Sequence, residues 1–123
     1  MKYFTLEYTV KLHEDVIKRS GGLSGINNIG QLDSVLHHIK NDDYYPTFVD
    51  KLTHLIYSVV QFHVFLDGNK RTSILLGVQF LNLNQYSYAS DQFIQEMEDV
   101  VVKIAEDKIS KEQLRNILIS LLD

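Results

Sequence analysis

The sequence predicts an all-α protein of about six helices. Three observations carry that prediction. Apolar residues recur at steps of three and four through most of the chain, the spacing of one helix face. One proline and six glycines leave few interior breakers, so long helices can form. At 123 residues, 45% apolar and 23% charged, the chain has ordinary globular composition and the length of one domain, taken here as residues 1–123. No repeat, low-complexity tract or linker interrupts it.

The elements follow in order. Leu6, Val10, His13 and Ile17 share one face of a first helix, with Thr5 as its N-cap and Gly21-Gly22 as its stop. Residues 21–30, GGLSGINNIG, are turn-rich and read as a structured loop. A second helix runs from about Gln31 to Lys40, with Leu32, Val35, Leu36 and Ile39 inward, and NDDYYP at 41–46 breaks it. A third spans about Phe48 to Phe62 and carries Leu52, Leu55, Ile56, Val59 and Val60. A fourth runs from about Lys70 to Asn82 with Ile74, Leu75, Val78 and Leu81. NQYSYAS at 84–90 reads as a turn or very short strand, before a fifth helix from about Asp91 to Glu106. Ser110 followed by Gln113 is a capping-box pattern that opens the last helix, whose buried face is Leu114, Ile117, Leu118 and Leu121.

The totals also exclude. A net charge of −4 argues against general nucleic-acid binding, which needs basic surface to displace counterions. The absence of cysteine removes disulfides and thiolate metal sites. The first residues, MKYFTLEYTVKLHE, lack the apolar core and cleavage site of a signal peptide, and no run approaches a membrane span of roughly 20 apolar residues. The expectation is a cytoplasmic protein without direct nucleic-acid or membrane partners.

Between the third and fourth helices lies HVFLDGNKRT, residues 63–72, polar sequence set between strongly apolar flanks. A helix start exposes N–H groups without partners, and its dipole adds positive potential. Gly68-Asn69 before that start lets the backbone turn its donors inward, which suits an anion and phosphate above all. Lys70 and Arg71 in the first turn oppose the helix dipole, a local conflict that a negative ligand would balance. Asp67 is a reasonable magnesium ligand, since magnesium takes one or two carboxylates together with phosphate oxygens and water. His63 is the only histidine near these groups in the sequence, and the pKa range of an imidazole suits a general base. Phe65 would pin the loop to the core. Together these groups suit transfer of a phosphorus group to a hydroxyl. A helix–loop–helix with an Asp-Gly turn and surface bases satisfies the same spacing. The P-loop template fails, because the earlier glycine of GxxxxGK[ST] is missing and no strand precedes it.

HVFLDGNKRT resembles the Fic/Doc family motif, HxFx[DE]GN[GK]R, and specifically the Doc (death on curing) branch, because Lys70 stands where Fic enzymes carry a second glycine. His13, GGLSG, Gly30 with Leu32 and Val35-Leu36, and FLNLNQ after the motif are similar to further parts of Doc-like proteins, so the resemblance covers essentially the whole chain. It implies a fold of about six helices around the motif loop and a toxin of a toxin–antitoxin pair. Fic proteins transfer AMP from ATP to a protein hydroxyl. Doc acts as a kinase, its nucleotide inverted so that the γ-phosphate meets the attacking hydroxyl, with a threonine of elongation factor Tu as target and translation arrested. By position, the resemblance makes His63 the base and Asp67 the Mg2+ ligand. Gly68 and Asn69 then shape the nest, Lys70 and Arg71 clamp the phosphates of ATP, and Phe65 is structural. The implied partners are a Phd-like antitoxin, whose disordered segment folds on binding, and the target protein. The other readings are AMP transfer by the same site and a catalytically silent helical binding module.

The chain departs from the family pattern at three places. Val64 replaces a frequent proline, Ile74 lies where many Fic enzymes have another arginine, and Gln85 replaces the common glycine after Asn84. Loss of the arginine weakens the AMP-transfer reading. No Ser or Thr is followed four residues later by Glu, the Fic self-inhibitory pattern, so restraint falls to a separate antitoxin. Of the remaining candidates, His13 reads as a buried histidine bonded to backbone. His37, His38 and His54 suggest metal only weakly, since adjacent residues diverge on a helix. Tyr44, Tyr45 and Pro46 lie in the region that forms a target-docking flap in Fic-type proteins, and aromatic packing in a loop explains them equally well. Glu96, Glu98 and Asp99 read as a solvated helix face.

Overall fold

The structure, a computed structural model, describes residues 1–123. Six α helices form in the order expected: α1 Leu6–Ser20, α2 Ile29–His38, α3 Phe48–Gln61, α4 Asn69–Leu83, α5 Ser90–Ala105 and α6 Lys111–Leu122. Residues 84–89 form a turn and one 3-10 turn at Ser87–Ala89 rather than a strand, and Ser90 already belongs to α5. None of the helices is long and apolar enough to cross a membrane.

Side-chain caps set most of the starts. Thr5, Asn28, Thr47 and Ser110 each accept a backbone N–H from the first turn of α1, α2, α3 and α6. Asn28 moves the start of α2 two residues ahead of the expected Gln31. Thr47 and Asp50 close a capping box on α3, and Asp50 then receives Arg115 Nε at 2.6 Å, tying α3 to α6.

Helix α3 lies at the centre, packed by α2, α4, α5 and α6. Its Leu52, Leu55, Ile56, Val59 and Val60 are all buried, as their spacing predicts. Lys51 is buried as well. Its ammonium donates to the Ile39 carbonyl at 2.7 Å and to Asp42 at 2.6 Å, which holds the end of α2 and the 41–46 segment against α3. Helix α4 is less amphipathic than its expected face implied. Leu75 is exposed while Thr72, Ser73, Leu76, Gly77 and Phe80 are buried, because α1, α3 and α5 all pack on α4. Gly77 permits the closest of these approaches: a Cβ there would lie 2.4 Å from the Phe93 ring.

Candidate functional site

The motif loop joins the two central helices, α3 and α4. It is held from three sides. Phe65 is fully buried and stacks on His13 of α1, with ring centroids 3.9 Å apart and planes within 4°. Burying such a side chain stabilises by about 1.5–3 kcal/mol. The Asn69 side chain clamps the same residue twice: its Oδ1 accepts the Phe65 N–H at 2.9 Å and its Nδ2 donates to the Phe65 carbonyl at 3.0 Å. The third support is residues 21–28. The Asn27 and Asn28 N–H groups donate to the Val64 carbonyl, Leu66 N–H donates to the Gly25 carbonyl, and Ile26 pairs antiparallel with Phe65. The turn-rich stretch is therefore a strut laid along the motif loop.

Helix α4 starts differently from its capped neighbours. Gly68 at its N-cap is left-handed, with φ 74°, and supplies no side chain. A Cβ there would come 3.1 Å from Ile17 and 3.7 Å from the His13 ring, so the position needs glycine for both conformation and space. The N–H groups of Asn69, Lys70 and Arg71 find no acceptor within the chain. Lys70 and Arg71 are exposed and take part in no ion pair.

Asp67 is exposed beside that start. Its Oδ1 accepts the Gly68 N–H at 2.8 Å and its Oδ2 accepts the Leu23 N–H at 3.1 Å. The Leu23 bond first, then the Gly68 bond, and after them the charge of Lys70, hold its carboxyl below the usual carboxylate range, so it is an anion at neutral pH. His63 follows the end of α3 with φ 51°, a left-handed conformation uncommon outside glycine, although histidine, like asparagine and aspartate, adopts it more often than most residues. Its carbonyl accepts from the Asn27 side chain at 3.0 Å, and its exposed imidazole makes no hydrogen bond within the chain. Such strain is held where surrounding structure over-determines it.

The structure thus brings His63, Asp67, Gly68, Asn69, Lys70 and Arg71 onto one loop and one helix start. It does not bring Tyr44 and Tyr45 there. Tyr44 is exposed, and Tyr45 stacks on His54 with centroids 4.3 Å apart. His54 lies seven residues before Gln61, the last residue of α3, about 10 Å along the helix at 1.5 Å per residue. The segment beside the motif loop is instead 21–28, while Tyr45 packs against His54 of α3 and lies under Lys111 of α6. His13 is buried and bonded to backbone, as its place on the apolar face predicts: Nε2 donates to the Asp67 carbonyl at 2.7 Å. Gly22 and Leu23 are the contributors that spacing missed, since their contact with Asp67 spans more than forty residues of chain.

No cluster of three or more histidine, cysteine or acidic side chains could hold a metal by itself. Asp67 still fits magnesium, because its carboxylate is ionised, exposed and next to unpartnered N–H groups able to receive phosphate oxygens.

Fold and loop together define a class: an all-helical protein that presents an exposed histidine, a carboxylate and two unpaired cations between its central helices. Residues 3–81 match the family model described as the Fic/DOC family, and the chain belongs to that family. It is similar to a protein named Toxin Doc from Mycolicibacterium smegmatis, 30% identical over 89 residues that cover 69% of this chain and 68% of the relative. It is also similar to one named Protein kinase doc from Escherichia phage P1, 27% identical over 114 residues that cover 89% of this chain and 87% of the relative.

Proposed function

We propose that this chain is the toxin of a toxin–antitoxin pair and works as a Doc-type protein kinase. It transfers the γ-phosphate of ATP to a Ser or Thr hydroxyl of a target protein, elongation factor Tu by resemblance, and so arrests translation. The observation that carries this reading is the uncapped start of α4, with three free N–H groups, Lys70 and Arg71, at one end of a short loop whose other end carries the unbonded imidazole of His63. The names of the two relatives support it.

In this mechanism His63 accepts the proton of the target hydroxyl as its oxygen attacks the γ-phosphorus. An O–P bond forms, the bridging P–O bond breaks, and ADP departs with the electron pair. The N–H groups of α4 with Lys70 and Arg71 bind and orient the phosphates and balance their growing charge. Asp67 would hold Mg2+, which supplies charge neutralisation on the phosphate oxygens. Phe65, Asn69 and His13 keep the loop in shape.

The antitoxin has a groove available beside this site. Leu75, Ile94 and Val102 are large apolar side chains exposed along a cleft of about 430 Å³ between α4 and α5, which Lys70 and Arg71 also line. An amphipathic segment with acidic residues, folding as it binds, fits such a surface and would cover the phosphate clamps.

Labelled ATP tests the reaction. Label in the γ position should pass to elongation factor Tu, and His63→Ala should abolish transfer with folding intact. Label passing only from the α position would replace this reading with AMP transfer. Toxicity that survives His63→Ala would leave a silent binding module. Lys70→Gly should lose phosphorylation or turn it toward AMP transfer, if the pose of the nucleotide depends on the ammonium.

A further inference from the structure

A second group of titratable side chains lies away from the motif loop and takes no part in the reaction above. His54 of α3 is buried under the Tyr45 ring. Its Nε2 is 3.1 Å from Nδ1 of His38, at the end of α2. Its Nδ1 is 2.8 Å from Nζ of Lys111, the first residue of α6, and 3.4 Å from Ser58 Oγ. Lys111 also lies over the Tyr45 ring, 5.3 Å from its centroid. An open cleft of about 500 Å³ brings solvent to the amine, lined by Tyr44, Tyr45, Asp50, Thr53, Lys111 and Arg115 among others.

The hydrogen bonds run in one direction. A lysine amine facing an imidazole nitrogen donates to it, so Nδ1 of His54 is an acceptor. A neutral imidazole then carries its proton on Nε2, which donates to Nδ1 of His38. His38 is exposed, and its Nε2 makes no hydrogen bond within the chain. The chain Lys111, His54, His38 is therefore a path along which a proton leaving the amine can reach water.

We propose that Lys111 is a nucleophilic amine, a modification site for activated acyl groups such as acyl phosphates and thioesters. In the step, the neutral amine attacks the acyl carbon and an N–C bond forms. The C–O bond to phosphate, or the C–S bond to the thiol, breaks and takes the electron pair. The proton of the amine passes to His54 Nδ1, and the Nε2 proton of His54 passes to His38. Two further features suit this chemistry. Burial pushes the ammonium of Lys111 below the usual lysine range, which raises the fraction of free amine. No carboxylate pairs with it, whereas Lys51, Lys103 and Lys108 each have an acidic partner. Acylation would remove its charge and its bond to His54, and with them the link from the start of α6 to α3.

Exposure alone predicts the opposite ranking, and the test uses that. Lys2, Lys11, Lys18, Lys40 and Lys70 are exposed, whereas Lys111 is half-buried. The intact chain is treated at neutral pH with acetyl phosphate in one arm and an acetyl thioester in the other, and the acetylated lysines are mapped by mass spectrometry against time. Lys111 should be labelled several-fold faster than each exposed lysine in at least one arm, and His54→Gln should slow Lys111 alone. Labelling of Lys111 no faster than Lys11 and Lys18 in both arms overturns the proposal, whatever the fate of the variant. An unchanged Lys111 rate in folded His54→Gln overturns the role of the imidazole chain and the proposal with it.

Discussion

His13 Nε2 donates to the main-chain carbonyl of Asp67 at 2.7 Å, across 54 residues of sequence. The same ring lies flat on Phe65 and comes within 3.7 Å of where a Gly68 side chain would stand. One buried residue of α1 thereby sets the path of the backbone at three successive points of the motif. A carbonyl can only accept, so the proton of the imidazole sits on Nε2.

His13→Leu keeps most of the volume and removes the donor and the stacked ring. A hydrogen bond of this kind contributes about 1 kcal/mol and an aromatic pair about 0.5–1.5 kcal/mol. Urea unfolding of the variant should show a loss of about 1–3 kcal/mol, and phosphate transfer should fall in the fraction that remains folded. Full transfer by folded His13→Leu protein would mean that Asn69 and the 21–28 strut hold the loop unaided.

Gly22 controls the carboxylate of Asp67 from a distance. Its φ is 114°, and an added Cβ would lie 2.6 Å from Oδ2, closer than real atoms approach. In Gly22→Ala the carboxylate must swing away and give up the Leu23 N–H, the largest cause of its lowered pKa. The Asp67 carboxyl, followed by NMR titration, should move back up toward the ordinary carboxylate value. Phosphate transfer should then need more magnesium. An unmoved titration would show that the strut yields instead of the side chain.

How much of this was legible before the structure depends on the range of the contacts. The inward faces of α2 and α3 follow from local spacing, and Leu32, Val35, Leu36, Leu52 and Val59 are buried as that spacing requires. The caps at Thr5 and Ser110 are equally local. Helix α4 misleads because three neighbours bury it on most sides, which erases the amphipathic signal and leaves Leu75 outside. The motif stands out because its polar residues break an apolar run. The strut from 21–28 and the stack of Tyr45 on His54 do not, since no periodicity encodes a pairing across tens of residues.

Gln85 occupies a place that suits glycine. It follows α4 with φ 70°, and the next N–H, of Tyr86, closes back on the Leu81 carbonyl at 2.9 Å. That is the Schellman ending, whose left-handed residue costs about 1–2 kcal/mol when it carries a side chain. Glycine also frees the unfolded chain, which offsets part of the gain. Gln85→Gly should therefore raise stability by about 0.5–1 kcal/mol in urea unfolding, with transfer unchanged. A loss of stability would place the value of Gln85 in its side chain.

His54 makes stability depend on pH in a defined window. Burial first, then the charges of Lys111 and His38, hold its pKa down to about 4 in the folded chain, against an ordinary histidine value of about 6.5. Below about 6.5 the unfolded chain takes up a proton that the folded chain refuses, so stability falls as pH drops and the loss is complete near 4. Above that window the group has no effect. The full loss is at most about 3 kcal/mol. Around His54 stand Lys111, His38, Tyr45 and Ser58. The carboxylates Asp50 and Asp67, whose pKa values are lowered, lose their contributions only at more acid pH. Urea unfolding at pH 7, 5.5 and 4.5 should show a steady decline for the unaltered chain and a shallower one for His54→Gln. Parallel declines in the two proteins would assign the acid sensitivity to other groups and leave His54 ordinary.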